Sequence, residues 1–464
     1  MAKLLNPLDL LMLAAETRET MMHVAGMLPF TPAVGTPPEY WRDYVENLKQ
    51  SAHVAEPWNQ KLRSPALLAS PLQAWVPDDQ FDIDYHLRRS ALPTPGDERE
   101  LGILVSRLHS HPIDFHRPPW ELHVIEGLER GRFALYVKVH HALVDGFTAV
   151  RLLARSLSSD PSDRSLPLFV EMGPHSGPEP EHSEPPPPTL ASLGGALRSQ
   201  IESSRDVARA LQKLYDAYRS GKDALVVPLQ APRSILNGRV GRNRRFATQV
   251  HDLERVRAVA KAAGGTVNDV VLALSGASLR HFLLGLDALP ERTLTAMMPV
   301  NVRPKGDRGG GNAVGAVLAS LATDVADPRA RLEAVIHSTQ RAKEQLEGMS
   351  KSAILQYSVA LMAPLGLQKM TGTLGRVRPP YNVVISNVPG PTEPLYLHGA
   401  RLEATYAVSI PYHGQALNIT TQSYAGTLSF GFVGCRDAVP HLQRIAVHCG
   451  EALGELQAAY GVEG

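Results

Sequence analysis

Alternating and helical patterns of apolar residues predict that both halves of the chain mix strands and helices. Phe133–His140 alternates as a half-buried strand should, and Gly146–Ser158 follows with apolar residues at helical spacing. In the second half, Thr266–Leu283 is predicted to be a buried helix. The further predicted strands are Tyr381–Ser386, Leu417–Thr421 and Thr427–Val433. We therefore expect a fold of the α/β class.

A proline-rich segment divides the chain. Residues 171–188 contain seven prolines and four glutamates, and proline removes a hydrogen-bond donor and fixes φ, so this segment should join no helix or sheet. Apolar residues at steps of three or four from Leu190 to Tyr218 then predict an amphipathic helix, which could pack on a domain or lie on a membrane surface. We expect an N-terminal domain at 1–165, a linker with this helix at 166–232, and a C-terminal domain at 233–464.

Composition and charge exclude several classes of protein. The 464 residues include 47 Lys and Arg against 46 Asp and Glu, so no global basic field exists to attract nucleic acid. The two cysteines, Cys435 and Cys449, form no CxxC motif, which excludes a disulfide framework and favours a reducing cytoplasm. No apolar run approaches the ~18–20 residues of a transmembrane helix. The short apolar stretch Leu10–Ala15 is interpreted as a helix rather than a signal peptide.

The motif with the most chemical content is His140-His141-Ala-Leu-Val-Asp145-Gly146, which lies where the predicted strand turns into a helix. Successive strand residues point to opposite faces, so one imidazole should meet a substrate while the other packs inside. A histidine with a pKa near ~6.5 is a suitable general base for a hydroxyl. Asp145 could orient the imidazole or, as we prefer, cap the helix or pair with an arginine.

Two other interpretations of the motif remain open. Adjacent histidines on an apolar strand can be hydrogen-bonded core residues. A metal site is the second alternative, because six of the eighteen histidines lie between residues 109 and 141. No HExxH motif is present, however, so we expect a general base and no metal.

HHxxxDG resembles the signature of the CoA-dependent acyltransferase superfamily, and the chain resembles the bacterial wax ester synthase/diacylglycerol acyltransferase family nearly end to end. The other segments that carry the resemblance follow in order: Leu5–Asp9, Met22–Val24, Phe81–Arg88, Ala91–Pro93, Arg117–Trp120, Ile125–Gly127, Ser234–Asn237, Asn268-Asp269, Pro299–Arg303, Ile385–Pro391 and Gly414–Ile419. The family's Pro-Leu-Trp motif appears here as Pro118-Pro119-Trp120, with proline in place of leucine at the middle position.

The resemblance implies two chloramphenicol-acetyltransferase-like α/β domains, each a mixed sheet with helices, with a substrate tunnel between them. His141 would deprotonate a fatty alcohol or the free hydroxyl of diacylglycerol, whose oxygen would attack the acyl-CoA thioester directly. His140, Asp145 and Gly146 would shape the turn. Acyl-CoA would be a co-substrate, with no resident cofactor. The protein would be cytoplasmic and peripherally associated with the inner membrane or with lipid bodies, because its substrates are membrane-soluble.

Six further residues are candidates for substrate binding. Asn268 could donate to the oxyanion that develops at the thioester, or form an N-cap pair with Asp269. Ser386 and Asn387 could touch CoA, although a turn before Pro389-Gly390 is the preferred interpretation. Arg303 could pair with CoA phosphates or with Asp145. Trp120 beside prolines is expected to pack in the core.

Competing functions remain. The motif permits an amide-forming condensation domain, but no carrier domain accompanies it. A lipid hydrolase is excluded because the chain has no GxSxG nucleophile elbow. A catalytically silent lipid-binding protein of the same fold is the alternative from a different class.

Overall fold

The computed structural model describes residues 3–5, 7–37, 39–51, 53–144, 152–171, 212, 226, 228–301, 314–347 and 349–463. Its α-helices are α1 Pro7–Ala15, α2 Tyr40–Ser51, α3 Ile83–His86, α4 Glu98–His109, α5 Leu253–Ala262, α6 Val267–Leu284, α7 Pro328–Leu346, α8 Lys351–Met370 and α9 Gln443–Tyr460. The first eight strands are β1 Lys3–Leu4, β2 His23–Thr31, β3 Gln60–Leu62, β4 Ala74–Pro77, β5 Leu87–Ala91, β6 Trp120–Glu126, β7 Phe133–His140 and β8 Arg244–Asp252. The remaining strands are β9 Thr295–Asn301, β10 Val314–Ser320, β11 Val383–Val388, β12 Tyr396–Leu397, β13 Ala400–Leu402, β14 Tyr406–Val408, β15 Leu417–Tyr424 and β16 Thr427–Cys435.

A six-stranded mixed sheet organises the second half, in the order β10-β9-β11-β15-β16-β8. Strand β11 pairs in parallel with β9 and β15, whereas the other neighbours are antiparallel. Helix α6 is buried along almost its whole length, and α9 packs beside it in one continuous core. The predicted helix at 266–283 and the three strands predicted in this half are therefore confirmed, with shifts of a few residues at their ends.

A seven-stranded sheet organises the first half, with the path β12-β13-β2-β7-β6-β5 and β14 also paired to β2. Strands β12, β13 and β14 of this sheet come from residues 396–408, so the C-terminal part of the chain adds strands to the N-terminal sheet. Residues 396–408 thus fall within the predicted C-terminal domain but belong to the sheet of the first half. The domain bounds 1–165, 166–232 and 233–464 remain predictions, and most of the predicted linker and helix lies outside the described residues.

Strand β7 lies in the middle of this sheet and ends at the histidine motif. Its bounds match the prediction, but all eight of its residues are buried, so the prediction of a half-buried strand is wrong. Phe133 and Leu135 face one apolar core, while Tyr136 faces a second core that includes Phe246 and Val433 from the other sheet. Packing against the second half thus covers the face that alternation alone assigns to solvent.

Helix α4 joins the two halves next to the motif. The hydroxyl of Ser106 accepts a hydrogen bond from the backbone N–H of Phe246 (2.9 Å), and that of Ser110 accepts one from Arg244 N–H (2.8 Å). Strand β8 is an edge strand, and these hydroxyls satisfy N–H groups that would otherwise be exposed at the sheet edge. The α4–β8 contact therefore fixes the second sheet against the helix that precedes β6 and β7.

Two further predictions concern the cysteines and membrane-spanning helices. Cys435 and Cys449 are both buried and unbridged. Among the described helices, none combines the length and the apolar character that a membrane span requires.

Candidate active site

The first histidine of the motif, His140, closes the turn at the end of β7. Its ring is completely buried, and its Nδ1 accepts a hydrogen bond from the backbone N–H of Ala142 (3.2 Å). The ring proton therefore belongs on Nε2, which lies 3.4 Å from Glu16 Oε2, within ion-pair range although not aligned as a hydrogen bond. The edge of Phe115 packs against the ring, with centroids 5.0 Å apart. His140 therefore has a structural role, since these contacts hold its ring in the turn.

The second histidine, His141, is the half-buried member of the pair. It follows the last residue of β7, and its backbone N–H donates to the carbonyl of Met22 (3.0 Å). Met22 directly precedes β2, the antiparallel neighbour of β7, so the position of His141 depends on the loop that enters this strand. Of the two imidazoles, only that of His141 has access to space outside the core.

A buried carboxylate organises that loop. The side chain of Glu16 is only 8% exposed, follows α1, and accepts a hydrogen bond from the backbone N–H of Met22. Glu16 therefore contacts His140 directly and supports the backbone of His141 indirectly, through Met22. The sequence alone does not identify Glu16 as a site residue, because no local pattern distinguishes it from a surface glutamate.

An arginine from the second half holds the same loop. The guanidinium of Arg244, on β8, is buried and donates to the backbone carbonyls of Glu19 and Gly241, and to that of Pro411 (3.4 Å). Burial lowers the pKa of Arg244 to about 10, although the charge of Glu16 and the thiol of Cys435 oppose the shift. Arg244 thus connects the second sheet to the residues that support His141, and it too was missed by sequence reasoning.

Two more histidines lie buried beneath the turn. His23 stands opposite His140 in the β2–β7 register, and its Nε2 donates to the carbonyl of His109 (3.1 Å). Burial holds the pKa of His23 well below its ordinary value, and the nearby His109 and Lys138 add to this effect. Burial likewise lowers the pKa of His109 to about 3, although the hydrogen bond from its Nε2 to Ser409 O opposes the shift. These rings are therefore neutral packing groups.

A buried ion pair joins the two strands that lead to the motif. Lys138 Nζ lies 3.0 Å from Glu121 Oε2, and the same carboxylate oxygen lies 3.4 Å from His123 Nε2. Burial raises the pKa of Glu121, but the contacts with His123, Lys138 and Arg88 outweigh it, and the pKa falls to about 2. Burial lowers the pKa of Lys138, against the attraction of Glu121. The pair fixes β6 to β7 two residues before His140.

The Asn-Asp pair lies at the start of α6, where Thr266 is the N-cap. Asp269 forms a capping box, since its Oδ2 accepts from the backbone N–H (2.8 Å) and hydroxyl (2.7 Å) of Thr266. Its Oδ1 accepts from the hydroxyl of Thr339 (2.6 Å). Asn268 is only partly buried, and its Nδ2 lies 3.7 Å from Met298 Sδ, a weak acceptor. The cap interpretation therefore describes Asp269, while the amide of Asn268 has no strong acceptor among its described contacts.

Ser386 and Asn387 lie near the end of β11 rather than in the following turn. The hydroxyl of Thr421, on β15, donates to Asn387 Oδ1 (3.0 Å) and to the carbonyl of Ser386 (3.3 Å). Strand β9, which carries Met298, is the parallel neighbour of β11 on its other side. Asn268, on helix α6, therefore contacts β9, the strand next to the one that carries Ser386.

The remaining candidates divide between the core and the undescribed parts of the chain. Trp120 is buried, donates from its indole N–H to Trp58 O (2.7 Å) and stacks on His86, so it packs in the core as expected from its residue type. Asp145, Gly146 and Arg303 lie outside the described residues.

Comparison with known proteins first places the fold. The first condensation domain of the calcium-dependent antibiotic synthetase matches with a TM-score of 0.58 and 16% identity, over 100% of this chain and 97% of that domain. At this identity the likeness concerns the fold alone. It confirms the predicted class, in which two halves each combine a mixed sheet with helices.

The more similar proteins place the family. Residues 5–271 match the wax ester synthase/diacylglycerol acyltransferase catalytic domain, and residues 310–457 match the C-terminal domain of the same family. The wax ester synthase/diacylglycerol acyltransferase of Marinobacter aquaeolei VT8 has a TM-score of 0.80 and 38% identity, over 99% of this chain and 100% of that one.

Two relatives compared by sequence agree. The O-acyltransferase WSD of Acinetobacter baylyi is 38% identical over 99% of this chain and 97% of its own. A Mycobacterium tuberculosis protein provisionally named a diacylglycerol O-acyltransferase is 50% identical over 100% of this chain and 99% of its own. The chain therefore belongs to the wax ester synthase/diacylglycerol acyltransferase family, and it is an acyltransferase.

Proposed function

We propose that this acyltransferase moves a long-chain acyl group from acyl-CoA to a fatty alcohol or to the free hydroxyl of diacylglycerol, with His141 as the general base. Membership of the family supports the transfer. The choice of base rests on one observation: His140 is completely buried and held by Ala142 and Glu16, whereas His141 is half-buried at the end of the strand.

The reaction needs one proton acceptor and one activated acyl donor. The imidazole of His141 takes the proton of the acceptor hydroxyl while the oxygen attacks the thioester carbonyl carbon. The C–S bond then breaks, and the thiolate of CoA leaves with the proton returned from the imidazolium. A thioester is already activated, so positioning plus a base suffices, and no covalent acyl-enzyme is required. The products are an ester and free CoA.

Asn268 is the proposed donor to the oxyanion that forms during attack. A side-chain amide in a fixed position can stabilise such an oxyanion, and loss of one donor typically costs ~10²–10³ in rate. Two features support this choice. The capping box of Thr266 and Asp269 fixes the first turn of α6, and the Asn268 amide contacts the weakly accepting sulfur of Met298. It can therefore exchange that contact for an oxyanion at little cost.

The enzyme is further proposed to work at a membrane or lipid-body surface. Helix α8 exposes Val359, Leu367 and Met370, which fall within an arc of about 80° at 100° per residue. Lys369 on the same helix and Arg376 and Arg378 shortly after its end are also exposed. Apolar side chains next to basic ones are typical of surfaces that bind anionic lipid.

The function is tested with purified protein, palmitoyl-CoA and a panel of acceptors. We expect hexadecanol and dipalmitoylglycerol to release free thiol in equal amount to the ester formed, while a long-chain amine gives no amide. Thiol release without ester would contradict the proposal, as would a preference for the amine, which would indicate condensation chemistry. No turnover with any acceptor, despite binding of palmitoyl-CoA, would indicate a silent lipid-binding protein.

The membrane proposal has its own test. Substitution of Leu367 and Met370 by serine should reduce co-sedimentation with phosphatidylglycerol vesicles. The control Leu72→Ser removes an equally exposed apolar residue from the other half of the chain and should not. Equal binding by both variants and the wild type would exclude α8 as the contact.

A further inference from the structure

Two histidines and two glutamates meet on the outer face of the second half, where the last turn of α6 packs beside α9. His281 belongs to α6, and His448, Glu451 and Glu455 belong to α9. The ligand atoms of His281, His448 and Glu451 all lie within 4.8 Å of one another. Glu455 adds a second carboxylate, with its Oε1 3.9 Å from His281 Nε2.

The backbone beneath this cluster consists of two helices that pack in the same core. Positions 448, 451 and 455 follow the i, i+3, i+7 pattern, which places them on one face of a helix. Both helices are anchored from the opposite side in the same apolar core, through Leu279, Phe282, Leu283, Cys449, Leu453 and Leu456. The four side chains therefore converge because the two helices are packed, and not because of a local sequence motif.

The donor set fits a borderline-soft dication. Imidazole nitrogen together with carboxylate oxygen is a typical ligand set for zinc. Zinc bonds of about 2.0–2.1 Å in tetrahedral geometry require ligand atoms roughly 3.3 Å apart. The side chains of His281, His448 and Glu451 are 30%, 27% and 57% exposed, so rotation about their χ angles can close the remaining gap without moving the helices.

We propose that His281, His448 and Glu451 bind a zinc ion that ties α6 to α9, with Glu455 supplying a further carboxylate oxygen beside His281. The site is separate from acyl transfer, because Asn268 and His281 are thirteen positions apart on α6, which is about 20 Å at 1.5 Å per residue. Its role is structural: the ion holds the far end of the helix whose first turn carries Asn268.

The same side chains could instead form only solvated ion pairs. His448 Nδ1 lies 2.9 Å from Glu451 Oε2 within one helix, and such exposed pairs contribute little to stability. An ion pair between His448 and Glu451 needs nothing from α6, whereas a zinc site requires His281. The two interpretations therefore differ in what substitution of His281 does.

The test uses the full chain without an affinity tag, freed of metal with a chelator and titrated with Co²⁺ as a spectroscopic probe and with Zn²⁺ in competition. We expect one Co²⁺ per chain, with the visible absorption bands of a four-coordinate site that Zn²⁺ removes. His281→Gln and His448→Gln should each weaken binding by roughly 10-fold or more, the loss seen even for residues that only orient metal ligands. The matched control is His337→Gln, which replaces an exposed histidine on α7.

A thermal measurement provides a second readout. A ligand that binds only the folded state raises the melting temperature, so Zn²⁺ should raise the Tm of the wild type and of His337→Gln but not of the two site variants. Equal Co²⁺ binding by the wild type and by a His281→Gln/His448→Gln double variant would overturn the proposal. A wild-type chain that shows no saturable binding of either ion would also overturn it.

Discussion

Glu16 should control both the stability of the first half and the position of His141. Its carboxylate is the acceptor for Met22 N–H and lies 3.4 Å from His140 Nε2, while Met22 O accepts from His141 N–H. Glu16→Ala leaves one partly buried donor, Met22 N–H, without its acceptor and removes the carboxylate beside His140. Glu16→Gln removes the charge but keeps an oxygen that can accept from Met22.

The magnitude follows from the groups left unsatisfied. A buried polar group without a partner costs about 1–3 kcal/mol, so Glu16→Ala should lower the free energy of unfolding by about this amount. Glu16→Gln retains the bond to Met22 and should cost about 1–2 kcal/mol, the difference between a charged and a neutral acceptor. The kcat should fall more for Glu16→Ala than for Glu16→Gln, because the backbone of His141 loses more of its support. The KM should change less.

The free energy of unfolding is measured by urea titration with tryptophan fluorescence, and kcat and KM by release of CoA thiol from palmitoyl-CoA. Glu393→Ala is the matched control, because it removes an exposed glutamate from the same protein. If Glu16→Ala matched this control in both stability and kcat, the proposed support of His141 by Glu16 would be refuted.

Two further predictions concern the second half of the site and the buried ion pair. Asn268→Ala should lower kcat by ~10²–10³ with little change in KM or melting temperature, and an unchanged kcat would exclude Asn268 as the oxyanion donor. Glu121→Gln should lower the free energy of unfolding by about 3–5 kcal/mol at neutral pH, because Lys138 stays buried without its partner. The pKa of Glu121 is lowered to about 2 in the fold, so its contribution is complete above about pH 4.5 and disappears as the pH falls toward 2. Urea titrations between about pH 4.5 and 2 should show that the difference in free energy of unfolding between Glu121→Gln and the wild type decreases as the pH falls. A difference that stays constant would contradict the assigned ionisation of Glu121.

Local periodicity predicted much of the fold. Strand β7 and helix α6 were found from alternating and helical spacing, because those patterns depend on neighbours within a few residues. The turn at His140 and His141 followed from the same reasoning, as did the assignment of different environments to the two rings. Strands at 396–408 were not foreseen, because their pairing with β2 joins residues far apart in the sequence.

The missed site residues share a physical cause. Glu16 contacts a histidine 124 positions later, and Arg244 reaches a carbonyl 225 positions earlier. Neither has a recognisable motif, since any glutamate or arginine can form such contacts once the backbone brings it there. The same holds for His281 and His448, which belong to two helices that meet only in the folded chain. Burial on both faces of β7 was also hidden, because the second core derives from the other half.

The most direct test of the account is turnover of palmitoyl-CoA with hexadecanol by His141→Gln, compared with His116→Gln as a control at an exposed histidine. We expect His141→Gln to lose ~10²–10⁴ in kcat, the usual contribution of a general base, while its melting temperature and palmitoyl-CoA binding stay at the wild-type values. The control should keep full activity. Wild-type turnover in a folded His141→Gln protein would contradict the central claim that this imidazole removes the acceptor's proton.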